Sequence, residues 1–238
     1  MSSGGFTAAY KVLAPKFESE TGVKLVTAYG ASSGGAPDSI PERLKRGQRA
    51  DVVILSQNGL NALTRQGLAQ PDSHVPLANS MIGLAVRAGA AVPDIATTPA
   101  FIETLLAAES IGYSASASGT YLSTTLFPTL GIWDRIKAKS VRIESERVAA
   151  VVARGDVQIG FQQISEILPI DGVTYVGPIP PDVQKVTLFS AGLTHQGDDA
   201  LAWIFVCYLS APEHGDIIQA TGLTPAPSTD RLSSRCGR

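Results

Sequence analysis

Apolar and polar positions follow two rhythms along this chain, and the rhythms take turns. Between positions 6 and 21 the apolar residues Phe6, Tyr10, Leu13 and Phe17 recur near a helical period, with Pro15 expected to bend or interrupt the helix. Positions 23–26 show the β-branched alternation of a strand edge, after which the chain breaks into Tyr29-Gly30-Ala31-Ser32-Ser33-Gly34-Gly35. A helix over 39–46 follows, with Pro41 suited to its first turn and Ile40 and Leu44 on one face. Positions 51–55 are almost wholly apolar, as in a strand buried on both faces of a parallel sheet, and a helix over 58–66 stops at Gly67. Helix, strand, helix, strand, helix predicts a parallel α/β sheet with right-handed crossovers.

The second half repeats the scheme. A strand over 81–86 leads into positions 88–99, rich in Ala, Gly and Pro, where the composition suggests that the chain changes lobe. Helix 101–108, strand 110–113, loop 114–119, helices 121–130 and 146–154, and strands 157–162 and 173–176 follow. Gly177-Pro178-Ile179-Pro180-Pro181 reads as a stiff connector to a strand over 186–189. The last unit is an apolar helix over 198–210, capped by Asp198 and Asp199, with a second helix to 219. Positions 226–238 have no apolar period and are expected to form a disordered tail.

Composition narrows the classes. A chain of 238 residues holds one large domain or two medium lobes, and its net charge of −2 gives no basic footprint for nucleic acid. No apolar run reaches the roughly 18 residues needed to insert in a membrane, and no charged and apolar leader pair opens the chain. Of the two cysteines, Cys207 lies in an apolar helical run and Cys236 in the last three residues, which suits neither a disulfide framework nor a metal site. His74, His195 and His214 are scattered in polar stretches, so neither a metal cluster nor a histidine triad can be read, and no cofactor is implied.

The candidate chemistry sits in three Gly/Ser loops, each between a strand and a helix or at a helix start: 2–5, 31–35 and 114–120. Loops of this kind aim backbone N–H groups and a positive helix end at one point, and three of them converge if two lobes face each other across a cleft. Hydroxyls and N–H groups without a lysine run suit a small oxyanion or carboxylate. The residues proposed to bind it are Ser3, Gly4, Gly5, Ser32, Ser33, Ser116, Ser118, Gly119 and Thr120, joined by Arg147 and by an amide from Gln162 or Gln163. Proton carriers near them are Tyr29, Ser32, Tyr121, Glu144 and Glu146, with Ser32 and Glu146 the catalytic candidates.

In order and spacing, Ser-Gly-Gly-Phe-Thr-Ala-Ala-Tyr, Ala-Ser-Ser-Gly, Arg-Leu-Lys-Arg-Gly-Gln-Arg-Ala-Asp-Val-Val-Ile, Leu-Gly-Ile-Trp-Asp, Gly-Asp-Val-Gln-Ile-Gly and Leu-Ser-Ala-Pro-Glu resemble the class II periplasmic solute-binding proteins over positions 1–224. The molybdate-binding branch, and within it the branch that contains bacterial aconitate isomerase, is the most similar. The resemblance implies an α/β fold of two lobes, with two mixed sheets flanked by helices and a ligand cleft between them; lobe I would span 1–83 and 189–225, and lobe II 84–188. It further implies a periplasmic monomer that takes a small anion and serves a membrane ABC permease in the carrier version. Its oxyanion donors fall on Ser3 and Gly5, Ser32 or Ser33, the 116–120 loop and the helix start at Glu146 and Arg147. Gln163 stands where molybdate binders carry a tyrosine, a change that also suits a carboxylate ligand such as aconitate, isomerised by an allylic proton shift. Members begin with a central strand ahead of the Ser-Gly-Gly loop, so a gap in the first sheet, with low stability or a missing segment, is expected here.

Overall fold

A computed structural model describes residues 1–195, 199–227 and 236 of the chain. In chain order the elements are α1 (Gly4–Thr21), α2 (Ile40–Lys45), β1 (Val52–Ser56), α3 (Gln57–Arg65), β2 (Val75–Ser80), β3 (Ile82–Arg87), α4 (Thr98–Ala107) and β4 (Ile111–Ser114). There follow α5 (Ala117–Tyr121), α6 (Phe127–Thr129), α7 (Trp133–Ile136), β5 (Ser140–Ile143), α8 (Val148–Arg154), β6 (Ile159–Gln163) and α9 (Ile164–Ile167). The last are β7 (Val173–Pro178), β8 (Thr187–Leu193), α10 (Asp199–Leu209), α11 (Gly215–Ala220) and β9 (Thr224–Pro225). The chain divides into two compact units, Met1–Ser80 with Thr187–Arg238, and Met81–Val186. The change of unit falls ahead of β3, and positions 88–97 are a loop inside the second unit.

The first unit carries a sheet in the order β1-β8-β2-β9, with antiparallel pairs throughout. Ser2 adds parallel bridges to Ile54 on one side and Tyr29 on the other, so the sheet is mixed rather than parallel. The stretch expected as a strand at 23–26 makes no ladder: the chain is extended there, and the bridge from Ser2 falls beyond it, at Tyr29. Phe6, Leu13 and Phe17 of α1 pack with Ile54, Phe189, Phe205 and Val206 into one core, and Ile40, Leu44, Leu60 and Leu63 close the other face. α1 runs unbroken through Pro15. The carbonyl that proline leaves without a donor belongs to Lys11, an exposed residue, so the missing bond falls on the solvent side of the helix. Gly22 ends the helix at φ 74°, its N–H bonded to Glu18 O.

The second unit carries the order β5-β4-β6-β3-β7, with β4 parallel to β5 and β6 and with β3 antiparallel to β6 and β7. Phe101, Phe127 and Phe161 meet edge to face in its core. Both units are thus α/β, each a mixed sheet flanked by helices. β2 and β5 are additions to the sequence reading: β2 holds Pro76 at a bulge against β8, and β5 is an edge strand with two exposed residues.

The cysteine reading is corrected. Cys207 and Cys236 form a disulfide, with Cα atoms 5.6 Å apart, because Cys236 packs against the core that α10 lines with Ala202, Phe205, Val206 and Leu209. Of the tail expected at 226–238, Ala226 donates its N–H to Leu77 O and Cys236 is tied by that bond. Residues 228–235 and 237–238, and the cap expected at Asp198, lie outside the described residues.

Candidate functional site

In the first unit two of the three loops are fastened to the end of one strand. Ser3 donates its N–H to Ile54 O at 2.8 Å, and Ser32 Oγ accepts the N–H of Ser56 at 3.0 Å. Ser56 Oγ in turn caps α3 by accepting Gly59 N–H. Gly59 lies so close to the second loop that a Cβ there would stand 2.7 Å from Ser32 O. That loop is held further by Ser39, whose hydroxyl donates to Gly34 O at 3.1 Å and accepts the N–H of Glu42.

The first loop is the start of α1. Ser3 is its N-cap in extended conformation, and its hydroxyl is buried with no hydrogen-bond partner. An 18-residue helix with no acidic residue in its first turn directs the positive end of its dipole at that point, so hydroxyl and helix end together favour an anion. Gly5 has a steric reason to be glycine: a Cβ would fall 2.1 Å from the ring of Phe189 on β8. Gly4 and Ser33 are half-buried beside these groups. Ser32 accepts a bond from Ser56, which leaves its own proton to donate.

In the second unit the strands β4, β5 and β6 are parallel, so the segments after them lie at one pole of the sheet. After β4, Ser116 caps α5, Ser118 Oγ meets Ser114 Oγ at 3.1 Å, and Gly119 crosses so near Ser114 that a Cβ would stand 1.7 Å from its carbonyl oxygen. Thr120 is exposed. The helix continues through a single π-type turn at Leu122–Leu126, a form found often at functional sites. After β5 comes Arg147, which caps α8 and donates from Nη1 to Glu166 O at 3.3 Å. After β6 comes Gln163, buried like Gln162; Gln162 Oε1 accepts Ala149 N–H at 3.3 Å. Six of the expected ligand groups therefore share this pole: Ser116, Ser118, Gly119, Thr120, Arg147 and Gln163.

The catalytic candidates fare differently. Glu146 is exposed and forms a two-pronged pair with Arg154 at 2.8 and 3.1 Å. That pairing holds its carboxyl below the usual range, opposite to what a base at neutral pH needs. Glu144 is exposed beside Arg142, and Tyr121 gives its hydroxyl to Val183 O at 3.0 Å. Tyr29 lies edge-on to Tyr10.

The structure points instead to Glu166, one turn past Gln163. Part of its surface reaches solvent, yet burial of the carboxyl pushes its pKa up to about 7, against the pull of Arg147 and a hydrogen bond with Gln162. The sequence signal for it was an acid in the first turn after a strand that ends in two amides. Among the described residues no group of three or more His, Cys, Asp or Glu is placed to hold a metal ion.

Mixed-sheet α/β units with small-residue donor loops at the strand ends are the make-up of a solute-binding protein. The chain belongs to the bacterial extracellular solute-binding protein family, whose sequence model matches residues 1–224. It is 42% identical to the aconitate isomerase of Pseudomonas sp. over 229 residues, 96% of this chain and 87% of that protein. It is 23% identical to the molybdate-binding protein ModA of Escherichia coli (strain K12), over 94% of this chain and 87% of that protein. Among solved structures it resembles the periplasmic molybdate-binding protein of Azotobacter vinelandii at a TM-score of 0.73 and 21% identity, covering 95% and 98% of the two chains. Among the described residues no helix is long and apolar enough to cross a membrane.

Proposed function

We propose that this protein binds a small tricarboxylate of the aconitate type and isomerises it by an allylic proton shift, in the periplasm. The observation that carries the reading is the 42% identity with an aconitate isomerase along 96% of the chain, against 23% with ModA. The donor set supports it: neutral hydroxyl and N–H groups at Ser3, Gly4, Gly5, Ser32, Ser33 and the 116–120 loop, one guanidinium at Arg147 and an amide at Gln163. A carboxylate takes up such donors as readily as an inorganic oxyanion does.

For the chemistry we assign the base to Glu166, which is closer to neutral than an ordinary carboxyl. It removes a proton from the methylene next to a carboxylate; that C–H pair becomes part of a new double bond. The electrons of the old double bond take up a proton on the carbon two positions away, so the shift is balanced without a redox partner. Donors that face the developing enolate-like charge stabilise it. A base with a pKa near the working pH suits both halves of the step.

The test is to follow trans-aconitate with the purified protein by ultraviolet absorption and proton NMR, with calorimetry for molybdate, citrate and both aconitates. Turnover is expected, with kcat lost in Glu166→Gln and KM raised in Arg147→Ala. Tight molybdate binding with no turnover overturns the reading in favour of an oxyanion carrier that serves an ABC permease. A bound ligand at about 100 times its dissociation constant should stabilise the fold by about 2.7 kcal/mol. Failure of every anion to do so overturns both versions.

A further inference from the structure

A tricarboxylate carries three negative charges, and the donors described so far include one cation, Arg147, whose Nη1 is already given to Glu166 O. The second unit holds another cation at the same pole. β3 is antiparallel to β6, with Ile82 opposite Gln163, and β7 is antiparallel to β3, with Pro178 opposite Gly83. The chain therefore leaves β7 at the end of the sheet where β6 finishes. Ile179 N–H donates to Ile82 O at 3.1 Å, and five residues later Gln184 is back at Ile82.

That segment is fastened from two sides. Gln184 closes on the backbone of Ile82, its Oε1 accepting Ile82 N–H and its Nε2 donating to Ile82 O, each at 2.9 Å. The same Oε1 accepts Lys185 N–H at 3.0 Å. From the other side comes Tyr121 Oη, which donates to Val183 O at 3.0 Å. Tyr121 follows Thr120 directly, so this bond ties the segment to the helix that the 116–120 loop opens. Lys185 is exposed, and its ammonium stands over the Tyr121 ring, 5.0 Å from the centroid. A ring face holds a cation without using its N–H groups. The second unit's other lysines are engaged: Lys137 donates to Asp134, and Lys139 to the carbonyls of Leu106 and Ala108. Asp182, the nearest acid along the segment, accepts from Thr98 Oγ1 at 2.6 Å, and among the described residues no carboxylate is paired with Lys185.

We propose that Lys185 takes one carboxylate of the ligand, and so is a residue by which the site tells a tricarboxylate from a dicarboxylate. The assignment rests on the ligand reading above and extends it. The segment's ties fix where the stem starts, and the Tyr121 ring fixes where the ammonium waits, so little side-chain freedom is lost when a carboxylate arrives. Loss of the charge weakens a guest that has a carboxylate at that place and spares one that lacks it, whereas the hydroxyl and N–H donors of the 116–120 loop serve both alike.

The test is calorimetry on the full chain, comparing the parent with Lys185→Gln and Lys185→Arg. The probes are trans-aconitate and mesaconate, itaconate and glutaconate, each of which is aconitate short of a different carboxylate. Lys185→Gln is expected to raise the dissociation constant for trans-aconitate at least about tenfold, and Lys185→Arg by less than about threefold. One of the three dicarboxylates should bind parent and Lys185→Gln equally, since it has nothing to offer the ammonium, while the other two lose as much as trans-aconitate does. Melting temperatures without ligand should stay within about 2 °C of the parent, because the altered side chain is exposed. An equal loss for all four acids, or none for trans-aconitate, overturns the role of Lys185 and leaves the ligand reading standing. A parent that binds none of the four overturns both.

Discussion

Replacing Glu166 by glutamine isolates the electrostatic cost of the second unit's buried carboxyl. Moving a carboxyl from its ordinary value of 4.5 to about 7, at about 1.36 kcal/mol per pH unit, corresponds to about 3 kcal/mol. The sign follows from which state holds the proton. Between pH 4.5 and 7 the native protein keeps it and the unfolded chain has released it, so stability falls as the pH rises through this window and levels off above it. Glutamine has no proton to lose. The stability of Glu166→Gln relative to the parent should therefore climb by about 3 kcal/mol from pH 4.5 to pH 8. Urea unfolding in a Trp203→Phe background, which leaves Trp133 as the only tryptophan and hence a reporter of the second unit, measures this at four pH values. Arg147→Ala removes the opposing positive charge and should carry the parent's decline to higher pH. A difference between Glu166→Gln and parent that stays flat across the range, or declines, refutes the burial argument and with it the neutral base.

Three further outcomes are expected. Gly119→Ala should destabilise the second unit by more than about 3 kcal/mol, since its Cβ meets the Ser114 carbonyl at 1.7 Å, while Gly35→Ala, with open space around it, should stay within about 0.5 kcal/mol; paired urea titrations check both. Ser32→Ala should cost about 1–3 kcal/mol by orphaning the buried Ser56 N–H, whereas Ser3→Ala removes a hydroxyl without a partner and should leave stability unchanged while weakening anion binding, as read by calorimetry. Cys236→Ser should lower stability by about 3–4 kcal/mol, the loop-closure value for a sequence separation of 29, and added reductant should do the same to the parent but not to the variant.

What could be read from the sequence was local. The helix start near Ser39 with Pro41 in its first turn, the stop at Gly67 and the glycine turns each rest on the conformational needs of a few adjacent residues, and the structure repeats them. Strand direction is not local. The alternating order of helices and strands suggested a parallel sheet, yet β8 runs antiparallel to β1 and β2, because its partners are chosen by long-range packing. β2 was hidden by Pro76 and by a bulge that breaks its alternation, and β5 by its exposed edge. Glu166 looked like any surface acid, for nothing in neighbouring residues announces that a carboxyl will be enclosed. The partner of Cys207 was equally silent: it sits 29 residues away in a stretch with no apolar rhythm.

The position of β8 bears on how the chain assembles. The second unit is one uninterrupted stretch, Met81–Val186, and has all its strands as soon as that stretch has left the ribosome. The first unit must wait: β1 and β2 are made early but touch only through β8, the middle strand between them, which is synthesised last but one. Until Thr187–Leu193 emerges, two apolar strands wait with open edges although the second unit is already complete, so the first-made part of the molecule is the last to close, and the one most in need of a chaperone's cover during synthesis.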